Sequence, residues 1–194
     1  MSLDLLVYTR QLSDELIPQI VKRLNDFEMV AEIHPEFSFT NHSGFLPFKF
    51  HLTNPGFEIL KDKELISGFE IYIDDFDLET AKENLKPKLS LFDKLKGKKQ
   101  AEIPFSSPEI ELRLKDFNKC VSFIWHEADS FELRFASLTS AILTELTNGV
   151  CCYPADDIWY ENEKITDEAY KDLKQYEQTL DKKDLVFHEF NGWE

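Results

Sequence analysis

ADSFELRFASLTSAILTELTNG, residues 128–149, decides how the rest of the chain is read. Phe131, Phe135, Leu138, Ile142 and Leu146 recur at helical spacing, and Leu133, Ala136, Ala141 and Leu143 widen that stripe. A helix apolar over so much of its circumference needs a sheet to pack against. Asp129 followed three residues later by Glu132 reads as a capping box, which starts the helix at 129. Asn148-Gly149 supplies the left-handed cap that ends it at 147.

The sheet is read from the segments around that helix. Downstream, VCCY (150–153) reads as a strand whose cysteines point to opposite faces. Pro154 to Asp157 has the composition of a turn, and Ile158 to Tyr160 lead back as a second strand. Upstream, KCVSFIWHE (119–127) is apolar on both faces and reads as a central strand, with EIELRLK (109–115) as another beside it. FLPFKFHL (45–52), FEILK (57–61) and ISGFEIYIDDF (66–76) are further strand candidates, broken by the Asn-Pro-Gly turn at 54–56. Residues 3–35 read as a β-α-β unit: an apolar run from Leu3 to Thr9, a helix capped by Ser13, and the alternating MVAEIHP (29–35). Residues 77–95 have a weaker helical pattern, with Leu78, Ala81, Leu85, Leu89 and Phe92 on one face and a break at Pro87. ITDEAYKDLKQYEQTL (165–180) reads as an exposed, charged helix, and DLVFHEF (184–190) as a strand or docked end. The expected fold is one α+β domain over residues 1–194. Its mixed, mainly antiparallel sheet carries an N-terminal β-α-β unit and the buried helix near 129–147.

Composition agrees with a packed core: 42% of the 194 residues are hydrophobic, and 17 are phenylalanine. Cys120, Cys151 and Cys152 form an odd set without disulfide-framework spacing. The opening MSLDLLVYTR has no basic n-region, and no apolar run reaches the ~18 residues a membrane span needs. The expectation is a cytoplasmic protein with reduced thiols. With 22 Lys+Arg against 37 Asp+Glu, the net charge is −15. That balance repels nucleic-acid phosphates and anionic membranes and attracts basic proteins. It also serves plain solubility. The one basic cluster, KLKGKKQ (94–100), reads as a solvated loop.

Motifs for chemistry are sparse. His34, His42, His51, His126 and His188 include no i, i+4 pair, and the residue four after His126 is Ser130, so WHEAD is not a zinc-peptidase helix. Ser43-Gly44 lacks the glycine a nucleophile elbow requires, and no phosphate-cradling glycine loop is present. No cofactor or metal is expected. Asp74, Asp75 and Asp77 lack the glycine turn and further oxygens of a calcium loop, and Asp75 or Asp77 reads better as a helix cap. Residues 153–194 hold 12 acids against 5 lysines, with Trp159, Tyr160 and Trp193 among them. Aromatic anchors on an acidic surface suit a face for a basic partner. The candidate face comprises Asp156, Asp157, Trp159, Tyr160, Glu161 and Glu163.

FELRFASLTSAILTELTNGVCCYPADDIWY (131–160) resembles a pattern in bacterial uncharacterised and immunity-type proteins. There a small-residue apolar helix ends in a glycine pair, and a short strand runs into an Asp-Pro turn and an aromatic. Asn148-Gly149 stands for the glycine pair and Pro154 for the turn, while Tyr153 occupies the place of the aspartate. The resemblance implies a cytosolic α/β protein, in some members one that neutralises a secreted toxin by binding it, and it carries over no catalytic residue. Two functions follow. One is a non-catalytic acidic inhibitor of a basic toxin domain. The other is a small hydrolase-like enzyme that assembles Cys151 or Cys152 with a distant histidine and an aspartate. Sequence sets no oligomeric state.

Overall fold

The computed structural model describes residues 3–87, 103–160 and 164–193. In these residues eight strands form one sheet: β1 (Leu3–Thr9), β2 (Met29–Ile33), β3 (Gly44–Leu52), β4 (Leu65–Asp75), β5 (Lys119–Trp125), β6 (Val150–Tyr153), β7 (Ile158–Tyr160) and β8 (His188–Glu189). Their order is β2-β3-β4-β5-β1-β6-β7, with β8 paired to the start of β4. Every pairing among the described residues is antiparallel. Among the described residues five α-helices accompany them: α1 (Ile17–Leu24), α2 (Leu78–Leu85), α3 (Pro108–Leu114), α4 (Glu132–Thr147) and α5 (Ile165–Thr179). The α+β class, the mainly antiparallel sheet and the N-terminal β-α-β element are as expected. β1 and β2 point the same way, but β3, β4 and β5 lie between them. Antiparallel neighbours form through short connections, so β2, β3 and β4 zip together in sequence and carry β2 to the edge.

The helix that organised the sequence reading lies on the sheet, flanked by α1 and α5. Phe135, Leu138, Ile142 and Leu143 are fully buried. Phe135 stacks on Phe48 at 4.6 Å and meets Phe50 edge-on at 4.9 Å, which locks α4 over β3. Its buried hydroxyls on Ser140 and Thr144 are satisfied within the helix, Ser140 donating to the Ser137 carbonyl at 3.0 Å and Thr144 to that of Ser140 at 2.7 Å. Asn148 takes the left-handed conformation (φ 49°) that ends α4. The start of α4 differs from the capping box. Asp129 Oδ1 accepts from the Phe131 N–H at 2.7 Å and from Ser67 Oγ at 2.9 Å. Glu132 reaches back to the N–H groups of Ala128 and His126 instead. The helix therefore begins at Glu132, three residues late, because Asp129 also has to fasten β4.

A second, smaller core lies on the opposite face of the sheet, over β1 and β6. Tyr8, Val150 and Cys152 point into it from the strands, and Leu78, Ile110 and Leu114 from α2 and α3. Lys82 and Glu111 bridge these two helices at 2.7 Å. This layer corrects one strand assignment: EIELRLK is the helix α3. Ser107 caps it by accepting from Ile110 N, Pro108 fits its first turn, and Ile110 and Leu114 bury one face. FEILK is likewise a 3-10 turn, Glu58–Leu60, and not a strand. Asp77 caps α2 through Thr80, as expected, and α2 stops at Leu85 ahead of Pro87. Leu89, Phe92 and the lysine cluster 94–100 lie outside the described residues. Ser13 makes no capping bond; a 3-10 turn, Asp14–Leu16, precedes α1. Asp14 is instead committed to Ser38 Oγ and Phe39 N, each at 2.8 Å.

Candidate binding face

The β6–β7 hairpin forms one edge of the sheet, because β7 pairs only with β6 among the described strands. Its register sets Cys151 beside Tyr160 and Cys152 beside Trp159. The turn is a 3-10 segment, Pro154–Asp156, closed by Asp157 at φ 53°. Aspartate tolerates that left-handed backbone better than most residues. Asp156 and Asp157 are exposed at the tip, and Ile158 beyond them is 40% exposed.

Side-chain alternation splits the two aromatics. Trp159 points to the second core, where it stacks on Tyr8 at 5.8 Å and meets Phe105 at the same distance. Its Nε1–H donates to Asp157 Oδ1 at 3.0 Å, which stiffens the turn. Tyr160 points the other way, toward α4 and α5, and is half-buried. Burial pushes its hydroxyl above the usual phenol range, with Asp172 and Asp156 adding to the shift. Trp193 packs elsewhere, on His34 at 5.1 Å and Phe190 at 5.0 Å. Of the six candidate residues, the hairpin therefore brings Asp156, Asp157, Trp159 and Tyr160 together, the aromatics on opposite faces. Glu161 and Glu163 lie outside the described residues.

Sequence reading missed the contribution of α5. Its exposed Glu168 and Asp172 extend the acidic surface beside Tyr160. Ile165, Ala169 and Leu173, on its inner face, close a cavity of about 200 Å³ against β1, β6, β7 and α4. The signal for this was present in the i, i+4, i+8 apolar spacing of 165–173, but the opposing wall comes from four distant segments.

The thiols are poorly suited to nucleophilic work. Burial pushes Cys120, Cys151 and Cys152 each up to about 12, so they stay protonated at neutral pH. Cys151 and Cys152 face separate cores, and no histidine lines the cavity above Cys151. The nearest approach to a catalytic pairing lies on the same face of the sheet as the second core. There His126 Nε2 is 3.3 Å from Glu70 Oε1, and Tyr72 donates to Glu70 Oε2 at 2.9 Å. Buried Ser67 donates its own proton to Asp129, which ties strand to helix. Among the described residues no group of three or more His, Cys, Asp or Glu is placed to hold a metal ion.

One interior ionic network is dense. Arg134, only 2% exposed, donates through Nε and Nη2 to both oxygens of Glu177 and through Nη1 to the Phe27 carbonyl. Lys174 donates to Glu28 at 2.8 Å, and also neighbours Glu177. All of these charges have partners inside the network, which joins α4, α5 and the turn before β2 as a structural clamp. Comparison with protein-family models, with curated proteins and with solved structures returns no match for the chain.

Proposed function

We propose that the protein is a non-catalytic binding protein that occludes a basic protein domain, in the manner of an immunity-type inhibitor acting in a bacterial cytoplasm. The observation that carries this reading is the acidic edge of the sheet: Asp156, Asp157 and the exposed Ile158 on the hairpin, whose Tyr160 adjoins Glu168 and Asp172 of α5. An apolar residue framed by carboxylates provides a contact to desolvate and a field that steers a cationic partner. Among the described residues no strand pairs with the outer edge of β7, which leaves backbone groups there for a partner strand. No helix among the described residues is long and apolar enough to cross a membrane. Protonated, separated thiols weigh against the hydrolase-like alternative built on Cys151 or Cys152.

The test is capture from the native host at low ionic strength, comparing the wild-type chain with the double variant Asp156→Asn, Asp157→Asn. A basic protein retained by the wild type, released by salt and weakened about tenfold by the double variant is the expected outcome. Equal capture by both chains, or no basic protein retained by either, overturns the proposal.

A further inference from the structure

We infer that the pocket between the loop after β3, the start of α4 and the end of α5 binds a small amphiphile with an apolar body and an uncharged oxygen-acceptor head, of the class of medium-chain acyl amides. The site is separate from the hairpin, and the inference does not depend on the binding reading above. Its volume of about 370 Å³ is more than twice the roughly 150 Å³ that holds a benzene ring, so it suits a ligand of about ten heavy atoms. The buried Leu60 and Phe131 and the half-buried Phe57, Leu180 and Leu185 form its apolar wall. Arg134, Lys174 and Glu177 line its polar end. A mostly apolar pocket with a few convergent polar groups is the usual form of a small-molecule site.

The clamp around Arg134 pairs the charges at that end but leaves donors unused among the described residues. A guanidinium carries five N–H groups, and Arg134 commits three of them, two to Glu177 and one to the Phe27 carbonyl. Lys174 donates to Glu28 at 2.8 Å, while Glu177 stands at 3.7 Å. Arg134 is only 2% exposed, so water has little access to its remaining N–H groups, and a buried donor without a partner is costly. A carbonyl oxygen entering from the pocket can accept from them. The head's charge follows from the same groups. Arg134 and Lys174 are balanced by Glu177 and Glu28, so a carboxylate head would leave the cluster negative in a chain already at −15. An ammonium head would add donors where both oxygens of Glu177 already accept from Arg134. An amide carbonyl avoids both penalties, and the apolar wall takes the chain attached to it.

Amide chemical shifts of the full-length labelled chain at pH 7 test this, with octanamide as the probe and octylammonium and octanoate as charged controls of equal chain length. The expected result is saturable shifts at Phe57, Phe131 and Leu180, with octanamide binding about fivefold tighter than either control. Lys174→Met, at a partly exposed position, removes a donor and a positive charge. It should weaken octanamide about threefold and strengthen octylammonium, so that the preference shrinks. Leu180→Trp, at the end of α5, fills the pocket and should abolish binding of all three probes, with its amide spectrum confirming the fold. Either charged control binding as tightly as octanamide overturns the assignment, because the donors would then not select the head. So does the absence of saturable shifts with octanamide, and so do shifts confined to Cys151 and Tyr160, which would place the probe in the other cavity.

Discussion

Glu28 combines one unfavourable feature with a compensation. Its backbone is left-handed (φ 55°), a conformation that costs a residue with a Cβ roughly 1 kcal/mol or more. Its carboxylate sits at the turn before β2, where Lys174 first and Asn54 next hold it down to about 2. Because the folded value lies below the ordinary carboxylate value, the stabilisation is complete above about pH 4.5 and is lost as pH falls toward 2. Lys174 and Glu28 are 34% and 35% exposed, so solvent screening leaves about 1 kcal/mol. Glu28→Gln should therefore lower the urea midpoint at pH 7 and converge with the wild type near pH 2. A deficit that stays constant across that range would show that the charge is not the source. At this scale legibility follows sequence distance. Asn148 as a helix stop and Asp77 as a cap were readable, since each acts on its immediate neighbours. Glu28 was not, because Lys174 lies 146 positions away.

Elements were legible where periodicity ran long enough to be unambiguous. The 16 residues of α4 carry four turns of pattern, and β5 shows its central place in having two apolar faces. The seven residues of α3 do not carry enough. Ile110, Leu112 and Leu114 fit a strand as well as a helix, and only Ser107-Pro108 ahead of them discriminates. A strand would set Leu112 on one face with the buried Ile110 and Leu114, whereas in the helix it is 66% exposed. Pairing between strands has its own local requirement at Gly68, which lies opposite Pro47 in the β3–β4 ladder. A Cβ there would overlap the Leu46 carbonyl, approaching its carbon to 2.9 Å, and would touch the Phe45 ring at 3.0 Å. Both obstacles belong to β3, so the strand itself must shift. Gly68→Ala should cost about 2 kcal/mol and speed amide exchange along β3 and β4. Gly56→Ala, with nothing within 4 Å of the new methyl, serves as the neutral control. Equal melting of the two variants would mean that the ladder tolerates the displacement.

For the molecule as a whole, the excess negative charge that the proposed binding face draws on also strains the fold. The sequence disclosed the excess of 15 negative charges and the hairpin that presents part of it, but not the cavity, which needs β1, α4, β6, β7 and α5 in place together. Several surface ion pairs, such as Arg10–Asp116 at 56% and 68% exposure, are worth little against that excess. Self-repulsion among the remaining carboxylates therefore dominates the salt response of the isolated chain. Raising NaCl from about 20 mM to about 0.5 M shortens the screening length from roughly 20 Å to roughly 4 Å and should raise Tm by a few degrees. The same increase should weaken capture of a basic partner, because attraction across the interface is screened as well. Opposite signs in thermal unfolding and in binding, measured on one preparation, are the expected signature of a surface whose charge serves a partner rather than the fold. A Tm that falls with salt would instead place the favourable electrostatics inside the chain, in the clamp around Arg134 and its exposed counterparts.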